Sequence, residues 1–405
     1  MPEPRPRGAQ RRRARTELRR LRFAWRGGNH FELLNGGGAF YPRMLGDIAQ
    51  ASRYVLLEMY LVESGAVLQR FLDTLISASE RGVQVFMLLD AFGSMGMSRA
   101  DRLRIEAAGI RLAYYNPLKF AHFRRNLLRN HRKLLLVDGA VAYTGGAGLT
   151  DAFAPTDGAA PWHEVMVRTE GPVAADWRHL FGLTWARYAQ WPLRLTASAA
   201  APHADGARGR VTFSHRRHNR DLVRALLNQT RTAKERIWIA TAYFLPSWKM
   251  RRAWRRAARN GVDVRLLLPG PNTDHPPVRY AGQRFYSGLL RAGVRIYEYQ
   301  PACLHAKIAL CDDWCSIGSS NMDRWNTRWN LEANQEVRSA AFAAEIRSWF
   351  TESFRVSVEY RDENWRGRSH YERLLQWFWG RMDLWLDRAT QARGLLRGRR
   401  RRREP

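Results

Sequence analysis

The chain has 405 residues, 45% of them apolar and 12% aromatic, with 67 Lys and Arg against 37 Asp and Glu for a formal charge of +30. That length suggests two or three domains, and the apolar content excludes a disordered or collagen-like chain. The charge points to polyanions, whether nucleic acid, an anionic membrane surface or phosphorylated substrates, while three cysteines are too few for a disulfide framework and favour a reducing compartment.

In chain order, residues 1–29 are a basic arm, expected to be mobile, without the apolar segment of a secretory signal. A first lobe spans 30–195. Within it YVLLEMYLVE (54–63) reads as a buried strand, LQRFLDTLISASERG (68–82) as a helix, and VQVFMLLDAFGS (83–94) and GIRLAYYNP (109–117) as further strands. TASAAAPHADGARGR (196–210) is poor in large apolar residues and reads as a linker. A second lobe, 211–345, repeats the order with RIWIATAYFLP (236–246), WKMRRAWRRAARNG (248–261), VDVRLLLPG (262–270) and GVRIYEYQP (293–301). Strands alternating with helices predict an α/β protein with largely parallel sheets.

The tail, 346–405, ends in a run of arginines. Ahead of that run, Leu374, Trp377, Phe378, Leu384 and Trp385 share one helical face, which suits either a membrane interface or packing on the chain's own domain. No stretch of about 18 apolar residues occurs, so no membrane-spanning helix is expected.

Each repeat carries one His-x-Lys-x4-Asp motif: His131, Lys133 and Asp138, then His305, Lys307 and Asp312. In each, His and Lys lie two apart on an apolar strand and share a face. Small residues follow, Gly145-Gly146 in the first copy and Gly318-Ser319-Ser320-Asn321 in the second. Only five lysines occur in the chain, and two of them are here. A duplicated His and Lys suits phosphodiester chemistry. Lysines hold the phosphoryl oxygens, one neutral imidazole attacks, and the other, protonated, donates to the leaving alcohol. An attacking imidazole needs its second nitrogen held by an acceptor. The acids following the motifs assign Glu164 to His131 and Glu332 to His305. Nothing calls for a cofactor or a metal. The rival is a zinc set of Cys303, His305, Cys311 and Cys315, whose spacing lacks the usual CxxC knuckle.

These motifs, with LLEMYLVE, NHRKLLLVDG, IATAYFLPS, LHAKIALCDD, GSSNMD and NLEAN, resemble the phospholipase D superfamily, and most of all bacterial cardiolipin synthases of the short type without N-terminal membrane helices. The resemblance implies two αβα lobes with the active site at their interface. It implies His131 as nucleophile, His305 as general acid, and Lys133, Lys307, Asn321 and Ser319 on the phosphate, with Asp138 and Asp312 structural. The implied reaction makes cardiolipin and glycerol from two phosphatidylglycerols, with no metal, on the cytoplasmic side of a bacterial membrane as a peripheral enzyme. Hydrolysis of phospholipids is the alternative, and cleavage of nucleic acid the less favoured one. Oligomeric state is not legible.

Two departures from the family pattern stand out. Gly148 occupies the place that Asn321 fills in the second copy, leaving its phosphate donor open. An insertion before His131, KFAHFRRNLLRN, mixes Phe120, Phe123, Leu127 and Leu128 with Arg124, Arg125 and Arg129, as suits lipid tails below anionic headgroups.

Overall fold

The structure, a computed structural model, describes residues 8–118, 126–155, 160–196, 200–215, 219–323 and 329–400, with backbone alone for 386–400. The first half runs α1 (Gly8–Arg20), β1 (Arg26–Asn35), α2 (Gly37–Ala49), β2 (Tyr54–Met59), α3 (Ala66–Glu80), β3 (Gln84–Asp90), α4 (Arg99–Ala107), β4 (Arg111–Tyr115), β5 (Leu134–Val137), β6 (Val141–Gly145), β7 (Val165–Glu170) and α5 (Ala174–Tyr188). The second runs β8 (Ala207–His215), β9 (Asn219–Arg220), α6 (Asp221–Thr232), β10 (Arg236–Ala240), α7 (Trp248–Arg259), β11 (Asp263–Pro269), α8 (Pro276–Gln283), α9 (Tyr286–Leu290), β12 (Arg295–Tyr299), β13 (Ile308–Cys311), β14 (Trp314–Gly318), β15 (Leu331–Arg338) and α10 (Ala340–Arg355). The tail adds β16 (Ser357–Tyr360), α11 (Asp362–Arg366) and α12 (His370–Arg400).

Fully buried, largely apolar runs such as YVLLEM in β2 and IALC in β13 form central strands covered on both faces. The strand order is β4-β3-β2-β5-β6-β7-β1 followed by β8-β15-β14-β13-β10-β11-β12-β16. Apart from β16, the halves are one order read from opposite edges, meeting where β1 and β8 pair antiparallel through Arg26 with Gly209 and Asn29 with Ala207. The fold is thus α/β and two-lobed. Parallel pairing is confined to β2-β3-β4 and β10-β11-β12, and the other pairings in the sheet are antiparallel, a narrower parallel content than the strand–helix alternation suggests. The reason is local: after each motif the chain turns back within a short hairpin, β5–β6 or β13–β14.

Three apolar cores divide the layers. One lies outside the first lobe around Phe40, Phe71 and Leu75, and another outside the second around Trp254, Leu266 and Ile296. The third joins the lobes, drawing Trp177, Phe181 and Trp185 from α5 and Phe342, Ile346 and Phe350 from α10. Gly82 and Gly261, at φ of +89° and +86°, end the matching helices α3 and α7 in the left-handed conformation that glycine tolerates.

The basic N-terminal segment is not a mobile arm from residue 8 onward. Ala14 and Leu18 of α1 are buried, His179 of α5 meets Glu17 at 2.7 Å, and Arg26 pairs with Asp176 at 2.7 Å. Leucines and Phe23 within the basic run supply the apolar stripe that seats it. The expected linker is also shorter, since β8 begins at Ala207.

Candidate active site

The sheet brings both motifs to the meeting of the lobes. Each His segment is braced by the other lobe. His131 N–H donates to the Leu331 carbonyl at 2.9 Å, and Leu331 N–H donates back to Arg129. His305 N–H donates to the His163 carbonyl at 2.9 Å, and His163 N–H donates to Cys303 at 2.8 Å. Leu331 and His163 immediately precede Glu332 and Glu164. The carboxylates are therefore exchanged. His131 Nδ1 lies 3.1 Å from Glu332 Oε2, and His305 Nδ1 lies 2.6 Å from Glu164 Oε2. This corrects the assignment of Glu164 to His131 and Glu332 to His305. Chain order favours a partner within the same repeat, whereas the two-fold arrangement places each acid under the opposite motif.

The two imidazoles differ. His131 Nδ1 faces two acceptors, Glu332 and the Ser319 carbonyl at 3.2 Å, so it carries the hydrogen and leaves Nε2 with a lone pair. Tyr60 packs against its ring with centroids 4.7 Å apart. His305 sits against Trp162 and Phe153, with Lys307 Nζ 2.9 Å from its Nδ1 and 3.3 Å from Glu164 Oε2. Lys133 Nζ donates to the His131 carbonyl at 2.8 Å and lies over the Tyr60 ring.

Burial dominates the electrostatics. It pulls both histidines below the ordinary imidazole value, assisted at each by the two lysines and opposed at His131 by Glu332. Burial and the neighbouring Lys307 bring Lys133 down to about 7, burial likewise lowers Lys307, and burial raises Glu164 against the pull of Lys307. The site is a buried, low-dielectric cluster with an excess of cationic capacity, suited to an anion.

Asn321 is held by its oxygen. Tyr243 N–H donates to Oδ1 at 3.3 Å, and Thr241 Oγ1, which donates to the Tyr243 carbonyl at 3.0 Å, lies 3.3 Å from the same oxygen. Its buried Nδ2 has no hydrogen-bond partner among the described residues. Ser319 differs from its expected role, since its hydroxyl donates to Glu332 Oε2 and steadies that carboxylate. Asp138 and Asp312 stand away from the pocket, each at a φ near +50°. Asp138 accepts from the backbone N–H groups of Ser52, Arg53 and Tyr54, and Asp312 from those of Lys234, Glu235 and Arg236. They clamp the start of β2 and of β10. Cys311 and Cys315 belong to different cores on opposite faces of the sheet, so the zinc set is split.

A family model described as "Cardiolipin synthase, PLD-like domain" matches residues 44–181 and again 226–354, one motif in each segment. The chain belongs to this cardiolipin synthase, phospholipase D-like family. Cardiolipin synthase B of Salmonella typhimurium is 34% identical over 336 residues, 81% of each chain, and that of Escherichia coli K12 is 31% identical over 335. Cardiolipin synthase A of Pseudomonas aeruginosa is 30% identical over 353 residues, 85% of this chain and 71% of its own. Among solved structures, phosphatidylserine synthase of Haemophilus influenzae shares the fold, with a TM-score of 0.69 at 12% identity over 96% of this chain and 99% of its own.

Against the family pattern, the first lobe has no room for a second asparagine. A Cβ at Gly148 would overlap the Leu61 carbonyl, and one at Gly146 would overlap the Glu164 carboxylate. Of the insertion, Phe120, Phe123, Arg124 and Arg125 lie outside the described residues. Arg129 is buried and turns inward to Asp90 at 3.3 Å, away from any headgroup layer. Sequence reasoning passed over Tyr60 and Tyr243, although they hold matching places in LLEMYLVE and IATAYFLP. It also passed over Asp274, which accepts from the Tyr243 hydroxyl, and Glu58, a buried carboxylate that accepts from Asn130 Nδ2 beside His131.

Proposed function

We propose that the chain is a phosphatidyltransferase that converts two phosphatidylglycerols to cardiolipin and glycerol, working as a peripheral enzyme on the cytoplasmic face of a bacterial membrane. The observation that carries this reading is the crossed pair of His–Glu dyads around two buried lysines. It is supported by the family's named relatives and by the free Asn321 amide. Among the described residues no helix is long and apolar enough to cross a membrane.

His131 Nε2 attacks phosphorus, and the bond to the glycerol oxygen breaks as His305 Nε2 gives that oxygen a proton. This leaves a phosphatidyl-histidine. The glycerol hydroxyl of a second phosphatidylglycerol then gives its proton to His305 and attacks phosphorus, and His131 departs. Lys133, Lys307 and Asn321 Nδ2 stabilise the charge on the phosphoryl oxygens. The negative charge of a bound phosphate raises His305 against the burial that lowers it, so the proton donor is charged when it is needed.

The test uses purified protein, phosphatidylglycerol vesicles and a chelator, with His131→Ala as control. Equal cardiolipin and glycerol, absent in the variant, is the expected result. Phosphatidic acid alone would make the enzyme a hydrolase. Cleavage of added plasmid DNA without lipid turnover would reject a lipid substrate.

A further inference from the structure

We infer that the outer face of α12 is the surface by which this protein sits on an anionic bilayer, its aromatic side chains entering the layer between headgroups and acyl chains. The inference rests on the lipid-acting reading above and names the element that docks. Its first support is an inverted burial. A helix lying on a globular flank ordinarily turns its apolar stripe inward. In α12 the fully buried positions are Gln376, Gly380 and Asp383, with Leu375, Trp379 and Met382 half-buried beside them, and the outward ones include Leu374, Trp377, Phe378 and Trp385, exposed by 59, 60, 45 and 63%.

The seam beneath fixes this orientation. Gln376 Nε2 donates to Gln283 Oε1 at 3.1 Å, and Gln283 donates in turn to the buried Glu298 at 2.8 Å. Arg284 binds both the Gly380 carbonyl and the Asp383 carboxylate. Rolling the helix to hide its tryptophans would strand buried polar groups, so the apolar face stays outward. A patch of that kind marks an interaction surface.

Composition commits it to lipid. Trp, Phe and Tyr favour the bilayer interface. Arg381 lies over the Trp377 ring at 5.7 Å, a cation within the apolar face, where anionic headgroups would meet it. Position agrees as well. α8, on which α12 rests, follows directly from the loop bearing Asp274, which binds Tyr243 beside the second motif. On the other lobe, Phe92 and Met95 stand exposed by 52 and 60% on the loop after β3, where Arg129 and Asp90 flank the first motif. Both rims of the site thus present apolar groups outward.

The test places a nitroxide on Leu374→Cys of the full chain. The three native cysteines are buried, so the label goes to the new thiol. With vesicles of phosphatidylglycerol and phosphatidylcholine, the label should become accessible to oxygen and protected from a water-soluble nickel complex. Trp377→Ser with Trp385→Ser, which removes the aromatic groups without adding charge, should weaken vesicle binding about tenfold or more, while turnover of dispersed short-chain phosphatidylglycerol is kept. A label still open to nickel on vesicle-bound protein would overturn the inference. So would unchanged binding by the double variant, or a doubled mass in light scattering with the label immobilised in the absence of lipid, which would assign the face to a second copy. Failure of the wild-type protein to turn over the dispersed lipid would count against the reaction proposed above, while the depth measurement still decides the docking face.

Discussion

His131 and Glu332 stand 201 positions apart in the chain, on different lobes, and their side chains meet at 3.1 Å. The acid holds Nδ1–H and so aims the lone pair of Nε2 outward. Glu332→Gln should lower kcat by about 10²- to 10⁴-fold with KM far less affected. Trapping of the phosphorylated enzyme checks the pairing directly. Glu332→Gln should slow the labelling of His131, whereas Glu164→Gln should act through His305. With a p-nitrophenyl phosphodiester, whose leaving group needs no proton from His305, labelling slowed by Glu164→Gln rather than by Glu332→Gln would show the crossed arrangement to be wrong.

The pH dependence follows from the buried cations. Lys133, held down to about 7, is charged below that pH and neutral above it, so affinity for an anionic headgroup falls as pH rises through about 7. His131 is lowered by burial and stays neutral to below the ordinary imidazole value, which places the acid limb there. On dispersed short-chain lipid, kcat/KM should therefore carry a Lys133 limb on the alkaline side from about pH 7, above the range in which burial makes free His305 give up its own proton. A guanidinium does not titrate in this range. Lys133→Arg should flatten the alkaline limb even where it lowers activity, and a limb that persists in that variant would assign the titration elsewhere.

Asn321 offers an unpartnered Nδ2 whose direction is set by the Tyr243 N–H on its oxygen. Removing one such donor from a preorganised anion site costs about 10²- to 10³-fold in kcat. Asn321→Ala should show a loss of that order with the fold intact by circular dichroism. Asn321→Asp should be worse, since it puts a carboxylate against the phosphate. Equal activity in both variants would remove the residue from the phosphate site.

Much of this was legible beforehand, and the reasons differ by residue. His131, Lys133, His305 and Lys307 announce themselves because a two-residue spacing, here just ahead of β5 and β13 rather than on the strands expected, survives any tertiary arrangement. Glu164 and Glu332 were visible as acids near a motif, but their partners depend on how two repeats face each other, which no local pattern encodes. The outward tryptophans of α12 share a face in the sequence as in the structure. Which way that face points is decided by Gln283 and Arg284, almost a hundred residues upstream. Leu18 and Phe23 hid inside an arginine-rich segment, where charge masks a short apolar stripe.

The hydrogen bonds of Asp138 predict a part in stability rather than in chemistry. Its carboxylate accepts three backbone N–H groups and the Ser52 hydroxyl, which hold it below the usual carboxylate range. A group depressed in the fold contributes stability above its unfolded value, near 4, and loses it as pH falls through the folded one. Asp138→Asn should cost about 1–2 kcal/mol at neutral pH, discounted for partial exposure. The gap in thermal midpoint from the wild type should close in acid, and kcat per folded molecule should hold. A loss of kcat at unchanged midpoint would refute the structural role.

The exchange of glutamates also bears on ancestry. A lone repeat carries a histidine without its acid and an acid without its histidine, so it could act only as an isologous homodimer whose subunits traded carboxylates across the two-fold axis. With both copies in one polypeptide, the two half-sites are not held to identity. Gly146 and Ser319, or Gly148 and Asn321, could then drift apart, and an interchangeable pair of imidazoles could become one that attacks and one that donates.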